Sequence, residues 1–158
     1  IVQTLENGES VALISDSGTP LISDPGFKLV QEVVSKEIKV ESIPGPSAVI
    51  SALVVSGLPS DKFSFLGFLP KSSGQREKLL KTYGATESTL IIYESPMRVK
   101  KLLEEINKHL GGRTVCLASE LTKLHERVVR GAPLNLLDLF EKEKPRGEFV
   151  VLVAKEGF

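Results

Sequence analysis

Several short segments of this chain hold residue types that can bind a polar ligand or move a proton. Ser15-Asp16-Ser17-Gly18-Thr19-Pro20-Leu21-Ile22-Ser23-Asp24-Pro25-Gly26 combines two carboxylates and several hydroxyls with a glycine and two prolines. Asp16 and Asp24 can accept hydrogen bonds from ribose hydroxyls or ligand amines. Gly18 allows close backbone approach, and the prolines stiffen the loop. A plain strand-to-helix connection needs only about two to six residues, so this longer, rigid stretch reads as a ligand loop. Ile43-Pro44-Gly45-Pro46-Ser47-Ala48 also leads into a helical pattern. Backbone N–H groups there carry the positive end of the helix dipole and suit a carboxylate. Simple helix initiation at Pro46 explains that turn equally well, until it is paired with the first loop.

Two further segments carry titratable groups. In Ile92-Tyr93-Glu94-Ser95-Pro96-Met97-Arg98, Ser95 suits a helix cap and Pro96 a first helical position. Capping does not call for Glu94 and Arg98, which as an exposed ion pair would be worth about 1 kcal/mol or less. Ser119-Glu120-Leu121-Thr122-Lys123-Leu124-His125-Glu126-Arg127 is densely charged, usually the sign of a solvated face. As a site it offers Glu120, Lys123 and His125 for proton transfer. The basic residues Lys71, Arg76, Lys78 and Lys81, behind Ser72-Ser73-Gly74, are placed to touch phosphates or to decorate a surface loop.

The elements that must position these segments alternate. Residues 1–6 read as a helix end, 11–15 as a strand, 27–34 as a helix, 38–43 as a strand and 46–56 as a helix. Strands at 63–66, 88–93, 113–118 and 148–154 follow, with a short extended piece at 126–130. Helices fall at 75–83, 97–110 and Pro133 to Glu143. Strand–helix alternation predicts an α/β class with a parallel sheet in the first part. Ligands of open α/β sheets bind at the carboxyl ends of strands, where the turns above lie. The domain boundary is expected near Ser60, giving domains 1–60 and 61–158.

Composition narrows the function classes. The 158 residues are 41% hydrophobic and 25% charged, as in ordinary globular proteins. No apolar run reaches the ~20 residues of a membrane span. Ile1-Val2-Gln3-Thr4 has no signal-peptide pattern. A single cysteine excludes a disulfide within the chain, and two histidines with one cysteine are too few for a typical structural zinc site. The expected location is the cytoplasm, with no metal. Net charge is zero but uneven. Residues 1–60 carry 3 Lys against 7 Asp+Glu, and residues 61–158 carry 17 Lys+Arg against 13 Asp+Glu. The second half therefore suits a polyanion. Neither glycine-rich turn matches a dinucleotide fingerprint or a P-loop, which disfavours nicotinamide enzymes and NTPases.

Taken in order, the motifs at 15–26, Pro-Gly-Pro-Ser-Ala at 44–48, Gly-Leu-Pro-Ser-Asp at 57–61, Gly-Phe-Leu-Pro-Lys at 67–71, Tyr-Glu-Ser-Pro-Met-Arg at 93–98, Glu-Leu-Thr-Lys at 120–123 and Gly-Glu at 147–148 resemble one family over nearly the whole chain. It resembles the tetrapyrrole methylases, in the branch that 2′-O-methylates a cytidine of small-subunit (16S) ribosomal RNA. Gly18-Thr19-Pro20 stands where porphyrin-modifying relatives carry Gly-Asp-Pro, a change that suits the ribosomal branch. The resemblance implies a partial N-terminal parallel α/β domain and a complete C-terminal mixed-sheet α/β domain. It implies S-adenosylmethionine as cofactor, small-subunit ribosomal RNA as partner, and a homodimer.

The site residues that the resemblance implies for the cofactor are Asp16, Gly18, Thr19, Pro20, Ile22, Ser23 and Asp24, then Pro44, Gly45, Ser47 and Ala48, then Tyr93 and Glu94, with Leu121 and Glu148 approaching from the second domain. Glu120 and Lys123 are the candidates for activating the ribose hydroxyl, and Arg98 for orienting an RNA phosphate. Family members begin with a first strand and a Pro-Thr-Pro-Ile-Gly-Asn loop, absent here. The resemblance therefore implies roughly seventy residues before Ile1 in a full-length protein, and an isolated chain without activity. Two other functions fit less well: a tetrapyrrole or other small-molecule methyltransferase of this fold, and a non-catalytic RNA- or partner-binding module.

Overall fold

A computed structural model describes residues 1–142 and 144–158. Glu143, the expected end of the last helix, lies outside the described residues. The chain groups into two compact units, Ile1–Ser47 and Ala48–Phe158.

The first unit holds helices α1 (Val2–Glu6) and α2 (Phe27–Ser35). Lys36 Nζ meets Glu6 Oε1 at 2.6 Å, joining the residues just beyond α2 to the end of α1. The strands expected at 11–15 and 38–43 are not formed. Alternating apolar residues favour an extended backbone, but a strand also needs a hydrogen-bonded neighbour. Neither segment has one among the described residues. Their side chains point largely into solvent: Ile14 is 85% exposed and Ile43 83%.

The second unit is a layered α/β structure. It comprises α3 (Ala48–Ser56), β1 (Phe63–Phe68), α4 (Ser73–Gly84), β2 (Thr89–Glu94), α5 (Val99–Leu110), β3 (Val115–Ser119), β4 (Arg127–Gly131), α6 (Pro133–Lys142) and β5 (Phe149–Val153). The five strands form one mixed sheet in the order β1-β2-β5-β3-β4. Only β1 and β2 run parallel; β5 is antiparallel to both β2 and β3.

Phe149-Val150-Val151-Leu152-Val153 is apolar at every position because β5 is central and buried on both faces. Phe149, Val151 and Val153 join Leu80, Leu102, Leu103, Ile106, Leu136 and Phe140 in a core under α4, α5 and α6. Val150 and Leu152 face the other way, toward Val49, Ala52 and Leu53 of α3. Helix α5 shows how sequence sets this arrangement. Val99, Leu102, Leu103 and Ile106 recur at helical spacing, and all four are buried.

Helix starts differ from expectation in two places. Helix α3 begins at Ala48 rather than Pro46. Ser95 does not cap α5, because residues 95–98 close a separate turn in which the amides of Arg98 and Val99 both donate to Ser95 O at 3.1 Å. The Ser95 amide is itself taken by the Glu94 carboxylate at 2.8 Å.

Candidate functional site

Strand register brings four of the singled-out segments to one edge of the sheet. Phe68 pairs with Tyr93, Glu94 with Phe149, Phe149 with Ser119, and Ser119 with Arg127. The carboxyl ends of β1, β2 and β3 therefore lie beside the start of β5. Residues 67–71, 93–98, 119–127 and 147–148 extend from that edge.

Tyr93 sits at its centre. Its ring packs edge-on against Phe65 at 4.9 Å and Phe68 at 5.6 Å. The Val49 amide, in the first turn of α3, hydrogen-bonds the phenol oxygen. Burial raises the Tyr93 pKa above its ordinary value; the Val49 bond opposes the rise, and the Glu148 carboxylate adds to it. The Tyr93 hydroxyl thus lies beside the first turn of α3 and within the electrostatic reach of Glu148. A phenol that accepts from an amide still has its own O–H to donate.

Glu94 is 1% exposed. Its carboxylate accepts from the Ser95 amide and faces Arg98 Nη2 at 3.4 Å. The same Arg98 nitrogen donates to Leu69 O at 2.9 Å and Pro70 O at 3.2 Å. Arg98 therefore compensates a buried charge and ties down the loop after β1, with 29% of its side chain exposed. The sequence suggested only a weak surface pair here; burial makes Glu94 depend on its partners.

Glu120 and Lys123 lie on the turn between β3 and β4. Lys123 Nζ approaches Glu120 Oε1 at 3.3 Å, and the Lys123 amide donates to Glu120 O at 3.0 Å. Glu120 and Thr122 adopt positive φ angles of 50° and 65°. Such conformations cost non-glycine residues about 1–2 kcal/mol each and concentrate at functional sites. The Glu120 side chain rests on the backbone of Gly147, where any Cβ would collide with its carboxylate. Gly147, with φ 67°, is thus the residue that lets Glu120 lie there. Leu121 packs against the α3-side core, so it is held inward. A depression of about 1140 Å³ opens beside Glu120 and is also lined by His125, Glu126, Arg127, Lys144 and Arg146.

The first unit contains the remaining expected residues. Thr19 Oγ1 donates to Pro46 O at 2.9 Å, so the loop at 16–24 and the turn at 44–47 are fastened together. Gly18, at φ 77°, would bring a Cβ to 3.5 Å from the same carbonyl oxygen. Ser15 Oγ bonds the Asp24 carboxylate, and the Ser17 amide donates to Ser15 Oγ at 3.2 Å. Leu21 and Ser23 hold positive φ angles of 71° and 60°. A depression of about 410 Å³ is lined by Leu13, Ile14, Asp16, Ser17, Asp24 and Gly26. Apolar side chains beside carboxylates and hydroxyls suit a ligand with an aromatic base and ribose hydroxyls. Pro20, Ile22, Pro44, Gly45 and Ser47 belong to the same two turns.

Only part of the basic run can face a phosphate. Arg76 is 3% exposed and forms a two-point pair with Glu105, at 2.6 and 2.5 Å. A buried guanidinium cannot reach a phosphate. Lys81 is paired with Glu77 at 2.6 Å, while Lys71 and Lys78 remain on the exposed side. Sequence reasoning missed both the Val49 amide and the Gly147 seat. The glycine before Glu148 was the one available signal for the second.

Comparison with known proteins agrees with this architecture. The family model for Tetrapyrrole (Corrin/Porphyrin) Methylases matches residues 1–134. A Thermotoga maritima protein named ribosomal RNA small subunit methyltransferase I is 45% identical over 99% of this chain, which covers 70% of it. A Vibrio cholerae protein of the same name is 49% identical over 97% of the chain, covering 54% of its length. Among solved structures, the methyltransferase CobJ aligns with a TM-score of 0.72 at 19% identity, over 98% of this chain and 68% of that one. Uroporphyrin-III C-methyl transferase from Thermus thermophilus, complexed with S-adenyl homocysteine, aligns at 0.58 and 16% identity, over 87% of this chain and 62% of that one. The chain therefore belongs to the tetrapyrrole (corrin/porphyrin) methylase family, whose fold it shares.

Proposed function

We propose that this chain takes part in 2′-O-methylation of a cytidine ribose in small-subunit ribosomal RNA. The single observation that carries the proposal is the meeting of Tyr93, Glu94, Glu120 and Glu148 at one sheet edge in a chain 45% identical to a protein of that name. The excess of Lys and Arg in residues 61–158 supports a polyanionic substrate. A cytoplasmic homodimer, and a division into domains at about Ser60, belong to the same reading.

When bound, S-adenosylmethionine would supply an electrophilic sulfonium methyl, to whose carbon the ribose 2′-oxygen would bond as the carbon–sulfur bond breaks and S-adenosylhomocysteine leaves. The residues have three tasks. In the first unit, the loop at 16–24 and the turn at 44–47 offer Asp16 and Asp24 to the donor's hydroxyls or amine, with Gly18, Thr19, Pro20, Ile22 and Ser23 as neighbouring contacts. In the second unit, Ala48, Tyr93, Glu94, Leu121 and Glu148 are the proposed contacts. Glu120 accepts the 2′-hydroxyl proton as the carbon–oxygen bond forms, and Lys123 steadies the negative charge on that oxygen. Arg98 faces the RNA phosphate with the exposed part of its guanidinium. Orientation of the two reactants supplies much of the rate, since the methyl group needs no metal to become electrophilic.

The test is methyl transfer by the full-length protein from labelled S-adenosylmethionine to small ribosomal subunits, with a porphyrin precursor as competing acceptor. Label in the 2′-O position of one RNA cytidine is expected. Label in the porphyrin alone would defeat the proposal. Glu120→Ala and Lys123→Ala are expected to slow transfer by about 100-fold, with S-adenosylmethionine binding retained. Wild-type rates in both would remove these assignments.

A further inference from the structure

The Gly67-Phe68-Leu69-Pro70-Lys71 motif has no duty in the site so far. Along β1, strict alternation would send Phe68 to the same face as Leu66, toward the core under α4 to α6. It does not go there. The register with β2 slips between Phe65 and Gly67, leaving Leu66 as an extra residue. Gly67 takes up the distortion at φ 61°. Phe65 and Phe68 consequently share the face of Tyr93, and both rings touch it. Bulges beside active sites commonly re-aim a side chain in this way.

The ring so delivered is not buried. Phe68 is 47% exposed, and Tyr93 meets it edge-on with an interplanar angle of 61°. The backbone behind it is held by four guanidinium-to-carbonyl bonds. Pro70 O accepts from Arg76 Nη1 at 3.0 Å and from Arg98 Nη2 at 3.2 Å. Leu69 O accepts from Arg98 at 2.9 Å, and Lys71 O from Arg76 at 2.6 Å. Each guanidinium is anchored in turn by a carboxylate, Glu105 for Arg76 and buried Glu94 for Arg98. Two ion pairs thus lock three consecutive carbonyls of a surface loop. The fold does not require that of a connection between a strand and a helix. A loop held this way presents a fixed aromatic face with the exposed Lys71 ammonium three residues on. An aromatic face beside a cation matches a nucleotide: the base stacks and the phosphate pairs.

We propose that Phe68 is a stacking platform for a base of the RNA substrate, with Lys71 on an adjoining phosphate. This rests on the RNA-methylation reading and adds a specificity-determining residue to it. A nucleobase is also present in the cofactor, as adenine, so the test separates the two.

The full-length protein would be compared with Phe68→Leu, Phe68→Trp and Lys71→Gln variants. Binding of a short single-stranded RNA spanning the methylated cytidine is measured by anisotropy, and S-adenosylmethionine binding by calorimetry. Phe68→Leu should weaken RNA binding about tenfold or more, while Phe68→Trp, which keeps a π face, stays near wild type. Lys71→Gln should flatten the salt dependence of RNA affinity by about 0.7 in log–log slope. S-adenosylmethionine affinity should be the same in all four proteins. Wild-type RNA affinity in Phe68→Leu would overturn the proposal. So would a loss confined to S-adenosylmethionine, which would assign the ring to adenine. If the wild-type protein itself neither binds nor methylates RNA, the failure lies in the parent reading instead.

Discussion

Removing the carboxylate of Glu105 should destabilise this protein far more than loss of a surface ion pair. Arg76 is 3% exposed, and its side chain donates to both Glu105 oxygens and to the carbonyls of Pro70 and Lys71. With Glu105→Ala, the guanidinium stays buried without its counter-charge, at a cost of about 3–5 kcal/mol. For a protein of this size that is a fall in Tm of roughly 6–20 °C. A double replacement, Arg76→Met with Glu105→Leu, removes the stranded charge but leaves the Lys71 carbonyl without its donor, at about 1 kcal/mol, while Pro70 O keeps its bond from Arg98. The double variant should therefore be more stable than Glu105→Ala, yet remain about 1 kcal/mol below wild type. Acid adds a second readout. The hydrogen bond from Arg76 holds the Glu105 carboxyl below its ordinary value of 4.5. A carboxyl depressed on folding gives its full stabilisation above the ordinary value, and that contribution disappears as pH falls through the depressed one. The gap between wild type and Glu105→Gln should accordingly close in strong acid. Denaturant unfolding followed by circular dichroism, across pH, measures all of this. A Glu105→Ala cost under about 1 kcal/mol at neutral pH would refute the reasoning, because the pair would then be behaving as a solvated one.

Two smaller changes probe the site. Tyr93→Phe deletes the oxygen that takes the Val49 amide, so S-adenosylmethionine affinity, followed by calorimetry, should fall by about two- to tenfold; unchanged affinity would separate that hydroxyl from the cofactor. Gly147→Ala forces a Cβ into the Glu120 carboxylate at a backbone φ of 67°, and methyl transfer should drop about tenfold or more with little loss of cofactor binding; full activity would mean that the seat of Glu120 is irrelevant to the chemistry.

Much of the second unit was legible in the order of residues. The unbroken apolar run of Phe149-Val150-Val151-Leu152-Val153 announced a central strand, and the spacing of Val99, Leu102, Leu103 and Ile106 announced the face of α5. These patterns are local: each residue's burial follows from the period of its own element. Turns at the strand ends were legible too, because glycine and proline punctuate regular structure. The strands expected at 11–15 and 38–43 failed for the complementary reason. Alternation expresses a preference for extended backbone, and pairing depends on a neighbour that the segment does not encode.

Tertiary structure alone decided which charges are solvated. In the sequence, Arg76 is one of four basic residues in a polar stretch and Glu94–Arg98 an ordinary ion pair; in the fold, two guanidinium groups turn inward to hold the carbonyls of residues 69–71. The direction of Phe68 was likewise undetermined until the bulge at Gly67 reversed the alternation of β1. Sequence fixes propensities through neighbours a few residues apart. Desolvation, and the face a side chain finally presents, depend on groups about thirty residues away, which only folding brings within a hydrogen bond's length.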